Sequence, residues 1–287
     1  MEIFWEIIEY IVLGLIQGIT EVLPMSSSGH VTFAREMFNT DIDNSVFFLI
    51  VLNLGSIISI AYYLRNDIKM YFMDFNSYVF KKNREKSVRN NFVYVRNVFI
   101  GILPIMIVGF FVSYFIQDIY DLNSLIFIGV GALMTATILF AVRKQTTFHV
   151  NRDFTARDSI FIGIMQVFAL FPGLSRLGVV TAAGVHRKLS LDSALKFAFM
   201  MLIPISFATI FYTLLDANFN LSVMMSNFDT TSYWSYIYYT IGFFVSLVTT
   251  YFALKFVFIL FRKGKLEFFY IYNFVFGVVV LFIAMNR

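Results

Sequence analysis

The chain contains no cysteine and few charged residues. Without cysteine among its 287 residues, disulfides and thiolate metal sites are excluded. Charged residues make up 14% of the chain, whereas a soluble domain carries about 25%. The net charge of +4 does not indicate nucleic-acid binding. A basic leader with a small-residue cleavage site is also missing from the N-terminus, so we do not expect a signal peptide.

Hydrophobic residues are abundant instead, at 59% of the chain, and the mean hydropathy is +0.76. Several apolar runs reach the roughly 18 residues that indicate a membrane-spanning helix. We therefore predict an all-α polytopic membrane protein. Two further apolar stretches, at about 4–23 and 158–171, end in polar motifs that contain glycine and proline. The six predicted spans are about 46–64, 98–116, 124–142, 195–215, 235–261 and 268–285.

The basic residues are concentrated in a few connecting segments. Most of the 22 Lys and Arg fall in 65–97, 143–157, 187–196 and 262–265, while 117–123 and 216–234 have none. The positive-inside rule makes the basic segments cytoplasmic, including the loops 65–97 and 143–157. The apolar stretch between the second and third basic segments must then enter and leave the membrane on one face.

The two polar motifs are related by an internal repeat. At a constant offset of 149 residues, four residues of the first motif coincide with four of the second. Together with the charge pattern, this predicts an inverted-topology repeat in one membrane domain, with halves at about 1–142 and 158–287 and two re-entrant helical hairpins. The alternative is that 4–23 is an ordinary seventh span. The coinciding residues are Gly14, Gln17, Ser26 and Gly29 with Gly163, Gln166, Ser175 and Gly178.

Ionisable residues inside these motifs indicate a functional site. A charge in the membrane interior needs a partner, so Glu21 and Arg176 either form a structural ion pair or serve a ligand. Helix N-termini and an arginine fork both bind phosphate. His30 can act as a nucleophile or general acid, and Ser27 is a second candidate nucleophile.

We expect further polar and small residues to line the same site. The serines can cap the helices that follow each motif, and Gln17 shares a helix face with Glu21. The predicted substrate-binding residues are Gln17, Ser26, Ser28, Asn53, Gln166, Gly173 and Ser175.

The first motif, from Gln17 to His30, resembles the first motif of the undecaprenyl-diphosphate phosphatase family, also called bacitracin-resistance proteins. The second, Pro172 to Gly178, resembles its Pro-Gly-x-Ser-Arg-Ser-Gly motif. The resemblance implies six transmembrane helices plus two re-entrant hairpins in the bacterial cell membrane. It also implies a site that opens toward the outer face and removes one phosphate from the lipid carrier of peptidoglycan synthesis.

The resemblance further implies catalytic roles for Glu21, His30, Ser27 and Arg176, and a divalent cation, Mg²⁺ or Ca²⁺, held by Glu21. The chain differs from the family pattern at Leu177 and Val180, and Gln17 stands where many members carry a second glutamate.

The expected partners are a polyprenyl diphosphate lipid and the bilayer, and a second copy of the chain is a further candidate. A transporter, or flippase, that moves polyprenyl phosphate through the same anion site is the alternative function, and a catalytically inactive relative with a binding role is a third. The residues leave the nucleophile, the prenyl chain length and the oligomeric state open.

Overall fold

The protein is described from a computed structural model that covers residues 2–38, 46–116, 125–145, 154–215, 233–264 and 266–286. All the secondary-structure elements in these ranges are helical: α-helices and two short 3₁₀ helices at Arg143–Gln145 and Phe168–Leu170, joined by turns, with no strand. The α-helices are α1 (Glu2–Thr20), α2 (Ser27–Phe38), α3 (Val46–Tyr63), α4 (Arg65–Val79), α5 (Lys86–Ile116), α6 (Leu125–Val142), α7 (Ala156–Val167), α8 (Arg176–His186), α9 (Leu191–Leu215), α10 (Tyr233–Arg262) and α11 (Glu267–Met285).

Within these residues, six helices are long and apolar enough to cross a membrane, or seven if the bent pair α3 and α4 is one span. Five of the six predicted spans correspond to α5, α6, α9, α10 and α11, and the sixth corresponds to α3. The all-α membrane architecture is thus confirmed. α1 also passes the test of length and composition, so the ordinary span considered above for 4–23 is compatible with its length.

The basic segment 65–97, which we expected as a loop, is a helical hairpin. α4 follows α3 directly at a bend of 71°, and α5 begins at Lys86, well before the predicted start of its span. The cations of this segment suggested a loop, but apolar residues at helical spacing, such as Ile68, Phe72 and Phe75, give α4 an apolar face. Residues 117–123 and 146–153, and residues 216–232 of the segment 216–234, lie outside the described ranges.

Small residues bring the long helices into close contact. A Cβ added to Gly18 of α1 would lie 2.8 Å from the Ser246 carbonyl oxygen of α10, and one added to Gly277 of α11 would lie 2.9 Å from the Gly129 carbonyl oxygen of α6. Backbones can approach this closely only where side chains are absent. Between α3 and α10, the buried Ser56 and Ser246 hydroxyls are hydrogen-bonded at 2.9 Å. These contacts pack α1 and α3 against α10, and α6 against α11.

Each polar motif lies at the break of one helix pair, α1–α2 or α7–α8. α7 has 12 residues and therefore a length of about 18 Å, well short of the roughly 30 Å hydrocarbon core. α8 is shorter still, and yet most of its residues are buried in the main apolar core. The second break is therefore covered by protein, as irregular backbone at membrane depth requires.

Candidate functional site

The first break runs from Glu21 to Ser26 and ends in a serine cap. Ser26 precedes α2, and its Oγ accepts a hydrogen bond from the Gly29 N–H at 3.3 Å. Pro24 lies within the break, where its missing N–H costs no helical hydrogen bond. From α11, the Asn273 side-chain amide donates to the Pro24 carbonyl oxygen at 2.9 Å. The break is therefore fixed both by its own cap and by the last helix of the chain.

The second break repeats the same cap. Ser175 precedes α8, and its Oγ accepts from the Gly178 N–H at 3.1 Å. The turn before it uses Gly173 at a φ of 78°, which is accessible to glycine at low cost. Thr135 of α6 accepts from the Ser175 N–H at 2.9 Å. The caps predicted for Ser26 and Ser175 are both present, each at the equivalent position of its motif.

Both capped helix ends line one cavity of about 210 Å³. Its wall is formed by the two breaks together with α3 and α9. The two motifs therefore lie close together in space although they are far apart in the sequence, as the internal repeat predicted. The polar residues that line it are Gln17, Glu21, Ser26, Ser27, Ser28, Asn53, Ser175, Arg176 and Ser206.

Glu21 is held by two side chains in this cavity. Its Oε2 accepts a hydrogen bond from the Ser27 hydroxyl at 2.6 Å and another from the Gln17 amide at 3.0 Å. Such a short O–H···O contact is typical of a charge-assisted hydrogen bond. The arrangement places a hydroxyl next to a carboxylate that can accept its proton, which is the geometry an activated nucleophile requires.

Arg176 is in the same cavity but has no partner for its Nε, which is buried. Although Glu21 and Arg176 are both described, the structure contains no ion pair between them within 4.0 Å. The structural ion pair considered as an alternative is therefore not formed. Asn53 Oδ1 is likewise buried without a hydrogen-bond partner. An unpaired cation beside serine hydroxyls and helix N-termini is suited to bind an anion.

His30 lies behind the cavity rather than in its wall. Its Nδ1 is 2.7 Å from the Ser26 carbonyl oxygen and its Nε2 is 3.0 Å from the Tyr272 hydroxyl. Its ring stacks on Phe276 with centroids 3.9 Å apart. With both nitrogens engaged away from the cavity, the geometry favours a positioning role over nucleophilic attack.

Two other predicted binding residues also lie outside the cavity wall. Gln166 is buried, with its Oε1 unpartnered. Gly173 packs against the α6 backbone, so that an added Cβ would meet the Ile128 carbonyl oxygen at 2.3 Å. A direct contact of either residue with substrate stays a prediction without support from the cavity geometry.

Four functional residues are not predicted from the sequence: Ser206, which lines the cavity, and Thr135, Tyr272 and Asn273, which support the motifs. Each is a polar residue in an apolar helix, the same feature that identified Asn53. That feature could have identified all four residues, although it does not say which motif a given residue contacts.

The cavity contains several oxygen groups of the kind that bind Mg²⁺ or Ca²⁺. Glu21 is the single carboxylate in the cavity wall, and no group of three His, Cys, Asp or Glu suited to a metal occurs in the part of the chain that the structure describes. The unpartnered Asn53 Oδ1 and the serine hydroxyls are oxygen ligands of the kind hard cations prefer. Such a set fits a cation whose remaining ligands are water and substrate phosphate oxygens.

These features define a polytopic α-helical membrane protein with a polar cavity suited to an anion. The chain belongs to the family described as bacitracin resistance protein BacA, whose model matches residues 10–279. It is 30% identical over 280 residues to an undecaprenyl-diphosphatase of Oceanobacillus iheyensis, covering 98% of both chains. It is 30% identical to undecaprenyl-diphosphatase 3 of Bacillus anthracis, covering 98% of this chain and 99% of the relative. An undecaprenyl-diphosphatase of Acholeplasma laidlawii is 33% identical over 211 residues, covering 72% of this chain and 74% of the relative.

Proposed function

We propose that the chain is a membrane phosphatase that hydrolyses undecaprenyl diphosphate to undecaprenyl phosphate and inorganic phosphate. The observation that carries the proposal is one cavity in which Ser27 donates to the Glu21 carboxylate at 2.6 Å, beside the unpaired Arg176. The relatives named undecaprenyl-diphosphatase support the same activity. In the bacterial cell membrane this reaction would recycle the lipid carrier of peptidoglycan synthesis and would favour resistance to bacitracin.

In the proposed mechanism Ser27 Oγ attacks the terminal phosphorus while Glu21 accepts the hydroxyl proton. The bond between that phosphorus and the bridging oxygen breaks, and the bridging oxygen leaves with undecaprenyl phosphate. Glu21 releases that proton to solvent before the second step. Water then attacks the phosphoserine while Glu21 accepts a proton from it, and the bond between phosphorus and Ser27 Oγ breaks. Glu21 returns the proton to Ser27 Oγ, with which it is in hydrogen-bond contact, and inorganic phosphate is released. Arg176 and the N–H groups at the starts of α2 and α8 stabilise the charge on the transferred phosphoryl oxygens.

A divalent cation would be held by Glu21 and Asn53 together with substrate oxygens, and would neutralise phosphate charge. In this scheme His30 is a positioning residue. It fixes the Ser26 carbonyl, and hence the start of α2, through the contact described above.

We propose that the prenyl chain lies in an apolar groove next to the cavity. The groove has a volume of about 600 Å³ and runs between α1, α10 and α11, lined by residues such as Leu23, Phe252 and Phe256. Met25 borders both the groove and the polar cavity. An apolar chain leaving the cavity past Met25 would therefore stay covered by hydrophobic side chains.

The proposed topology is an inverted repeat in which α1–α2 and α7–α8 are re-entrant hairpins that enter from opposite faces. The identical serine caps and the short α7 support it. In this topology the cavity opens toward the outer face. The transporter alternative has no support among the relatives, whose names specify a diphosphatase.

The test is phosphate release from undecaprenyl diphosphate by the purified chain with Mg²⁺ or Ca²⁺. We expect Ser27→Ala and Glu21→Ala to abolish release. The matched control is Ser59→Ala, because Ser59 is a buried serine of α3 whose hydroxyl has no partner and does not line the cavity. Full release by Ser27→Ala would refute the proposed nucleophile, and a lack of release by wild-type protein would refute the function.

A further inference from the structure

The α4–α5 hairpin carries a large surplus of positive charge. Residues 65–97 contain eight Lys and Arg against the three acidic residues Asp67, Asp74 and Glu85, which leaves five positive charges in excess. The whole chain has a net charge of +4. The proposed phosphatase mechanism uses none of these cations.

α4 is attached to its neighbours by polar contacts at two points, and Tyr71 between them stacks on Tyr94 of α5. Near its start, Asp67 is paired with Lys196 of α9 at 3.0 Å. Farther along, Asp74 accepts a hydrogen bond from the Asn91 amide of α5 at 2.6 Å. No residue of α4 is buried. The helix is therefore fixed in place without closing the space beneath it.

The space beneath α4 is an apolar groove of about 370 Å³ between α4, α5 and α9. The groove is open at the protein surface, since Phe72 and Phe99 of its lining are 67% and 59% exposed. Water gains little in such a space because the lining offers few hydrogen-bond partners. Hydrocarbon is the occupant that matches this surface. Lining residues from the three helices include Ile68, Phe72, Val95, Val98, Met200 and Ile203.

A basic pocket of about 690 Å³ adjoins the groove, and Arg84, Lys86 and Arg89 line it. Tyr71 and Tyr94 line both the groove and the pocket, and their rings stack with centroids 4.6 Å apart. Tyrosine is enriched where hydrocarbon meets the headgroup region, because one end of its side chain is apolar and the other polar. The tyrosine pair therefore marks the boundary between a region suited to hydrocarbon and a region suited to an anion.

We propose that this combined surface binds an anionic phospholipid of the cytoplasmic leaflet. One acyl chain lies in the groove, and the phosphodiester lies against Arg84, Lys86 and Arg89. Basic pockets beside membrane helices on the cytoplasmic side are suited to anionic headgroups, and the positive-inside rule predicts that side for residues 65–97. The site has no residue in common with the polar cavity that contains Glu21.

The test compares two triple variants of the full chain that remove the same charge. Arg84→Gln, Lys86→Gln and Arg89→Gln empty the basic pocket of cations. The control triple, Lys69→Gln, Lys81→Gln and Lys82→Gln, removes three cations of the same hairpin that do not line the pocket. Binding of phosphatidylglycerol and phosphatidylcholine to delipidated protein in detergent is measured by native mass spectrometry, with inorganic phosphate as competitor.

We expect wild-type protein to bind phosphatidylglycerol in preference to phosphatidylcholine. The pocket triple should weaken phosphatidylglycerol binding roughly 100-fold, since each cation near an anionic headgroup contributes about fivefold. The control triple should bind like wild type. Equal losses in both triples, equal binding of the two lipids, or displacement by inorganic phosphate alone would overturn the proposal.

A groove variant tests the acyl-chain half separately. Val95→Trp places a large side chain in the groove and leaves the three cations in place. We expect phosphatidylglycerol binding to fall while phosphate release from undecaprenyl diphosphate persists, which shows that the variant is folded. Unchanged lipid binding by this variant would overturn the acyl-chain assignment.

Discussion

Replacing Arg176 with methionine should lower activity and raise stability at the same time. Arg176 lines the polar cavity, its Nε is buried without a partner, and it is not paired with Glu21. Arg187, which directly follows α8, provides the matched control because its Nε donates to the buried Asp158 carboxylate at 2.8 Å. Methionine keeps the apolar part of either side chain and removes the charge.

The expected magnitudes follow from these two environments. Loss of a group that stabilises charge in the transition state lowers kcat about 100- to 1,000-fold. A charged arginine in the membrane interior costs about 2.5–3.5 kcal/mol on insertion scales. Glu21 lines the same cavity and offsets part of that cost by Coulombic attraction without a direct ion pair. We therefore expect Arg176→Met to gain about 1–2 kcal/mol in stability. Arg187→Met should instead lose about 1–2 kcal/mol, a value reduced by the partial exposure of Arg187.

The assay measures phosphate release by each variant. The free energy of unfolding is measured on the same preparations, in the same detergent, by denaturant titration. The expected pattern is an Arg176→Met protein that is inactive and more stable, next to an Arg187→Met protein that is less stable. If Arg176→Met were destabilised as strongly as Arg187→Met, Arg176 would be a structural partner. The interpretation of the cavity as an anion site would then fail.

Three further substitutions test the supports of the site, each read out as the midpoint of unfolding together with phosphate release. Asn273→Leu leaves the Pro24 carbonyl without its donor and should cost about 1–3 kcal/mol and much of the activity; an unaltered protein would contradict this. Ser175→Ala removes the cap on Gly178 N–H and should cost about 1 kcal/mol. Gly277→Val forces a side chain against a carbonyl oxygen that would lie 2.9 Å from its Cβ, so the folded yield should fall sharply, whereas Gly109→Val, with open space around it, should fold normally.

The long helices could be predicted because their apolar runs are nearly uninterrupted. The ends of α6 and α11 lie within a residue of the predicted spans. α5 was predicted too short, because Arg89 and Arg96 in its first turns were interpreted as loop residues. Charge patterning reports which face of the membrane a segment occupies, and it does not report whether that segment is helical.

At the candidate site the repeat was the most informative feature. A constant offset predicted that Ser26 and Ser175 would play equivalent roles, and both cap a helix at the cavity. The same offset predicted equivalent positions for Gln17 and Gln166, but only Gln17 lines the cavity. Two halves that pack against different neighbours need not keep equivalent side chains in equivalent environments. The orientation of His30 could not be predicted from the sequence, because it depends on the position of Tyr272 in the last helix.

The contact between Asn273 and Pro24 joins residues 249 positions apart. During synthesis the serine motif leaves the ribosome among the first residues, long before the helix that will brace it has been made. Until α11 is inserted, the Pro24 carbonyl oxygen in the break near the N-terminus therefore lacks its hydrogen-bond donor, Asn273. We therefore expect the cavity to reach its final geometry only after α11 has been inserted. Chains truncated before α11 should accumulate in the membrane without a properly formed cavity.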